Sequence, residues 1–238
     1  MDLSLLPKAG ALPPGARAAR WQPGPGGALH SEIFAAGNET SGAALALAMA
    51  LDGPGVAEEE RNVLWVQDRA ALRLTGRPYR PGLPAGLRRR LIHVVARTPE
   101  DALFALEEGV RCRELAGVIG ELAGNPKALD FTASRRLTLA AERHAVPLVL
   151  VRLDAMRDLS SARMRWQVQA APSLPPRWNA QAPGAPAWHA ELFRARAHPP
   201  GEWILRNDGQ VLVARPALGP PDHGDLADAA GGRSLAAR

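Results

Sequence analysis

The chain has 238 residues, 46% of them hydrophobic, and a formal net charge of +5. That composition suits one globular domain with tails and a sizeable core. A single cysteine, Cys112, excludes an intrachain disulfide, and the six histidines (His30, His93, His144, His189, His198, His223) lack metal-ligand spacing, so no metal site is expected.

Residues 1–28 are rich in Pro and Gly, show no sustained period and read as a flexible N-terminal arm. Pro7, Pro13 and Pro14 interrupt any signal-peptide core, and the apolar run 43–51 is too short to span a bilayer. A cytoplasmic protein without membrane contact is the expectation. Residues 29–36 (LHSEIFAA) suit a strand, 37–42 a loop, and 43–51 a helix of small apolar residues that packs on a sheet. A polar loop, 53–61, leads to 62–67 (NVLWVQ), a strand covered on both faces. With three Pro and three Gly, 76–86 is a long loop before the strand 91–96 (LIHVVA). Thr98, Pro99 and Asp101 open a helix whose apolar stripe is Leu103, Leu106 and Val110. A strand at 115–122 (LAGVIGEL), a helix from Asn125-Pro126 to about His144, and a strand at 147–153 (PLVLVRL) follow. This alternation predicts a mostly parallel sheet with helices on both faces. Beyond Ser160 the character changes. Residues 163–170 alternate, 172–186 carry five prolines, and 188–197, 202–206 and 210–215 read as short strands of an antiparallel C-terminal extension. Residues 217–238 read as a flexible C-terminal tail.

The loop after the first strand is Gly37-Asn38-Glu39-Thr40-Ser41-Gly42-Ala43-Ala44. Its two glycines fit the phosphate-loop template G-x-x-x-x-G-K-[ST], with a strand before and a helix after. In that template, backbone N–H groups cradle the phosphates, the lysine neutralises them and the hydroxyl ligates magnesium. Ala43 stands at the lysine position and Ala44 at the hydroxyl position, so the loop is a degenerate phosphate loop. No catalytic residue and no cofactor are expected. Asp68 and Glu121, at the ends of two apolar strands, stand where an active enzyme would place a base and a metal partner; the alternative is solvated strand-end charge.

The cations are almost all arginine, with lysine only at Lys8 and Lys127. Arginine suits phosphate contacts, but the abundance of Ala, Gly and Pro points as well to the composition of a GC-rich genome. The best basic features are Arg88-Arg89-Arg90 and the pair Arg194/Arg196, which alternates on one strand and shares a face. They read as a DNA or partner contact, or as a solubilising surface. Trp166, Trp178, Trp188 and Trp203 read as interface anchors or as core.

The segment LHSEIFAAGNETSG, with Gly37, Glu39, Ser41 and Gly42, resembles the first strand and phosphate loop of RecA-like proteins. More closely, HSEIFAAG, VLWVQD, EDALFALEEGVRC, AGVIGEL, RRLTLAAERHAVP and ARMRWQVQAAPS, in this order, resemble the ImuA family over roughly residues 29–216. The resemblance implies a RecA-like core and a non-catalytic accessory protein of error-prone translesion DNA synthesis in the SOS response to DNA damage. Its implied partners are an inactive Y-family-like polymerase homologue and an error-prone replicative-type polymerase, with a weak single-stranded DNA contact. Two other readings stay open: an active RecA-like, DNA-dependent ATPase, and a SulA-like cell-division inhibitor.

Overall fold

A computed structural model describes residues 29–52, 59–176, 178–179, 181–208 and 211–217. The arm at 1–28 and all but the first residue of the tail at 217–238 lie outside the described residues.

Among the described residues, nine strands form a single sheet: β1 (His30–Ala35), β2 (Asn62–Asp68), β3 (Leu91–Ala96), β4 (Leu115–Ala123), β5 (Leu148–Leu153), β6 (Met164–Ala170), β7 (Ala187–Ala195), β8 (Gly201–Asp208) and β9 (Val211–Pro216). Their order is β3-β2-β4-β5-β1-β6-β7-β8-β9. The pairs from β3 across to β6 are parallel, and those from β6 to β9 are antiparallel. The predicted α/β sheet with a C-terminal antiparallel extension is therefore present.

Four α-helices cover the sheet among the described residues: α1 (Ser41–Ala50), α2 (Arg69–Thr75), α3 (Pro99–Arg111) and α4 (Phe131–His144). One core joins α1 to Ile33, Trp65, Ile119, Val151 and Trp166, closed by Ala71, Leu83 and Leu87. The other joins α3 and α4 to Leu64, Val66, Val118 and Leu150. Alternating strand residues feed the two cores, which is why the central strands read as continuous apolar runs. Helix α1 is apolar on nearly every side and lies buried along most of its length.

Caps set the helix starts. Thr98 Oγ1 accepts from the Asp101 N–H at 3.1 Å, as its sequence predicts. Helix α4 begins at Phe131, later than expected, because residues 126–129 form a turn closed by Leu129 N–H to Pro126 O. Asp130 then caps the helix, accepting from Ala133 N–H at 2.7 Å. Helix α2 falls where no helix was expected: it buries only Ala71, so it carries no apolar stripe.

A buried polar layer lies under the connection from β5 to β6. On central strand β1, Glu32 is 0% exposed. Its carboxylate accepts from Arg165 Nε at 2.7 Å and from Ser160 Oγ at 2.7 Å. Arg152 on β5 bonds Asp158, and Asn125 bonds both Asp158 and the backbone of Met156. Both buried guanidinium groups lie near the Phe34 ring, Arg165 at 5.0 Å and Arg152 at 5.6 Å from its centroid. Ser134 and Thr138 of α4 bond Ser160 and Ser161. The layer thus fixes the 154–163 connection on both the sheet and α4.

Removing one member of a buried ion pair strands the other charge. Arg165→Met should cost about 3–5 kcal/mol in urea unfolding, and Glu32→Met/Arg165→Met much less than twice that. His30 adds a pH dependence. The Thr138 hydroxyl donates to Ser134 O, so His30 Nδ1–H donates to Thr138 Oγ1 at 2.7 Å. Burial, with Arg163 and Arg165 nearby, lowers the His30 pKa from 6.5 to about 4 against the opposing pull of Glu32 and Glu142. The unfolded chain takes up a proton below pH 6.5 that the folded chain refuses. Stability is therefore full above 6.5 and falls toward pH 4, by at most about 1.4 kcal/mol per pH unit from this group. His30→Gln should flatten that slope in denaturant titrations between pH 4.5 and 7.

Candidate functional site

The loop between β1 and α1 sits at the carboxyl end of β1. This strand lies between β5, whose chain precedes β6, and β6 itself, the last parallel strand. In open α/β sheets, ligands bind outside the carboxyl ends of strands. Here the loop is engaged from within. Gly37 N–H donates to Asp154 Oδ1 at 2.8 Å. Asp154 follows β5, has a left-handed φ of 50°, and donates its own N–H to Ala35 O at 3.0 Å. Ser41 Oγ donates to Glu39 Oε1 at 2.6 Å, and Glu39 Oε2 accepts from Ala170 N–H at 3.4 Å. Asn38, Thr40 and Ala44 are exposed, and Ala43 is buried in the core beneath α1.

The two glycines have separate physical reasons. A Cβ on Gly37 would lie 2.5 Å from Asp154 Oδ2 and 2.9 Å from Leu74 Cδ1. A Cβ on Gly42 would lie 2.8 Å from Ala35 Cβ and 2.9 Å from Val151 Cγ1. Gly37 thus admits the Asp154 carboxylate, and Gly42 lets α1 lie close on β1 and β5.

The two acidic residues are both buried. Asp68 caps α2, accepting from Ala71 N–H at 2.6 Å. Glu121 accepts from Trp65 Nε1 at 2.6 Å and from Thr75 Oγ1 at 2.8 Å. Burial pushes the Glu121 carboxyl above the usual range; its hydrogen bonds oppose this and the Asp68 charge adds to it. Gln67, opposite Glu121 in register, bonds Thr75, Gly76 O and His93. Strand β4 is two positions from β1, roughly 10 Å away. Both carboxylates therefore hold α2 against the sheet, a role different from solvated strand-end charge.

The arginines separate into two groups. Arg88 Nε donates to Leu83 O, and Arg90 donates to Gly86 O and Arg61 O, so these guanidinium groups brace their own loop. Arg89 is exposed. Arg194 and Arg196 lie across the sheet, since β3 and β7 are six positions apart, roughly 29 Å. They meet Arg135 of α4 and Arg163 in a cleft of about 490 Å³, also lined by Phe131 and Leu139. Sequence reading found the β7 pair but missed Arg135 and Arg163, which only the packing of α4 beside β6 brings to it. Of the four tryptophans, Trp166 and Trp188 are buried, Trp203 packs against the core, and Trp178 is exposed.

Among the described residues, no group of His, Cys, Asp or Glu is arranged to hold a metal ion, and no helix is long and apolar enough to cross a membrane. No protein-family model matches the chain, and no curated protein does.

Gly42→Ala should destabilise the fold by about 1–3 kcal/mol despite alanine's higher helix propensity, because Ala35 and Val151 cannot move aside. Urea unfolding would measure it, and a cost near zero would remove the packing account of this glycine.

Proposed function

We propose that this chain is a RecA-like domain with a degenerate phosphate loop, serving as a non-catalytic adaptor in error-prone translesion DNA synthesis. One observation carries the non-catalytic part. The loop that would cradle a nucleotide's phosphates has Ala43 and Ala44 at the cation and hydroxyl positions, and its Gly37 N–H already donates to the chain's own Asp154. An incoming polyphosphate would have to displace that carboxylate, and would meet the negative charges of Asp154 and Glu39 without a lysine to offset them. The acids at the strand ends support the same reading, because Asp68 and Glu121 are committed to α2, Trp65 and Thr75. The strand, loop and helix order supports a RecA-like plan, and the six sequence segments quoted above support the ImuA family. On that reading the partner is a Y-family-like polymerase homologue, acting with an error-prone replicative-type polymerase.

Two measurements test it. Calorimetric titration of the full chain with ATP and magnesium should give no binding heat at millimolar nucleotide, and phosphate release should stay at background with or without single-stranded DNA. The tagged protein, recovered from DNA-damaged cells, should bring down the polymerase homologue. ATP turnover would overturn the non-catalytic part. Recovery of a cell-division protein in place of a polymerase homologue would overturn the adaptor part.

A further inference from the structure

The cleft between α4, the end of the 154–163 connection and the end of β7 gathers four arginines beside an exposed aromatic ring. Arg135 and the exposed rings and chains of Phe131 and Leu139 form one wall. Arg163, Arg194 and Arg196 form the other. Arg163 Nε is engaged by Glu142 at 2.5 Å. Among the described residues, Arg135, Arg194 and Arg196 have no carboxylate at ion-pairing distance, and the Glu142 carboxyl is held low first by its bond to Arg163 and to a lesser degree by Arg196. Three unpaired guanidinium groups thus face one opening.

Their placement is fixed by the fold. Strand β7 carries one extra residue opposite the Arg165–Trp166 step of β6, which pairs Trp166 with Leu192 and Arg165 with Arg194. This bulge leaves Phe193 against Phe34 and Arg165 on the buried layer, and turns Arg194 and then Arg196 to the same side. Arg196 N–H donates to Arg163 O at 3.0 Å, so the wall that carries Arg163, Arg194 and Arg196 is tied together by backbone.

We propose that this cleft binds the phosphodiester backbone of a single-stranded nucleic acid, with one base resting on Phe131. Guanidinium groups bind phosphate oxygens through paired N–H donors, and cations lining a groove beside an exposed aromatic ring form the general pattern of single-strand binding. Arg194 and Arg196, two residues apart on an extended segment, are separated by ~6.7 Å, a spacing that suits successive phosphates of an extended strand. Phe131, 48% exposed at the lip, offers a flat face that an acidic peptide has no need of. The binding is independent of sequence, because the guanidinium groups engage phosphates that every nucleotide carries and stacking on Phe131 accepts any base. The proposal does not rest on the adaptor reading, since it needs only the cleft.

The test uses the full chain and a fluorescent oligothymidylate of about 20 nucleotides, read by anisotropy over a salt series. Each phosphate neutralised on a single strand contributes about −0.7 to the slope of log K against log salt. Arg135→Ala/Arg194→Ala/Arg196→Ala should weaken binding at least tenfold and reduce the slope by about 2. Phe131→Ala should weaken it about fivefold or more and leave the slope unchanged. Arg89→Ala, outside the cleft, should change neither. The substituted arginines are exposed, and a thermal melt checks that each variant stays folded. Unchanged affinity and slope in the triple variant would overturn the proposal. So would a polyglutamate peptide that binds through these arginines when the oligonucleotide does not. Loss of oligonucleotide binding with recovery of the polymerase homologue intact would support the cleft as a nucleic-acid site, separate from the protein interface. Loss of that recovery with oligonucleotide binding intact would make the cleft a protein-docking surface and overturn the proposal, leaving the adaptor reading standing.

Discussion

The Glu32–Arg165 pair is the constraint around which the sheet is organised. A carboxylate with no solvent exposure on the central strand is tolerable only if a cation and further donors reach it. Arg165 on β6 and Ser160 meet that need. To deliver both, the chain leaving β5 must cross the face of the sheet beside α4 and enter β6 parallel to β1. The rest of the layer follows from this crossing: Arg152 and Asn125 hold Asp158, and the α4 hydroxyls hold Ser160 and Ser161. Replacing such a pair by apolar side chains of equal volume can be neutral in stability. What the charges add is direction, because they dictate where one connection runs.

That connection joins two regions that the sequence treats as unrelated. Its first residue, Asp154, occupies the amide of the loop after β1. Its last, Arg163, belongs to the basic cleft on the other side of the crossing. The occupied loop and the open cleft are therefore opposite ends of one clamped segment. In the proposed reading, the end facing the old nucleotide position is closed, and the end facing a polymer remains available.

Much of the fold was legible in the sequence, because its main signals are local. Apolar runs marked the buried strands, and Thr98 marked a helix start that the structure reproduces. The Pro-rich stretch marked the change from parallel to antiparallel pairing. What escaped was non-local or too small. Helix α2 is held by the Asp68 cap, the Glu121–Thr75 bond and one buried alanine, so its seven residues show no apolar period. The α4 start was displaced because Asn125-Pro126 imitates a cap, whereas Asp130 performs it. The site was legible as a list of residues and not as a set of roles. Nothing at position 121 announces that Trp65 and Thr75 will take both oxygens of Glu121, since those partners lie 56 and 46 residues away. Asp154 likewise reads as a loop acid until β5 is laid beside β1.

The bulge in β7 sets the parity of the strand's last residues. Side chains alternate, so regular pairing counted from Leu192 would put Arg194 and Arg196 on the Leu192 face, the one covered by α1. The bulge at Phe193 restarts the count, so Arg194 lies opposite Arg165 and points away from α1. A strand of identical sequence that paired without the bulge would have the same composition and the same net charge. It would nonetheless carry both arginines into the apolar core. At this position one bulged residue decides which side of the molecule is basic.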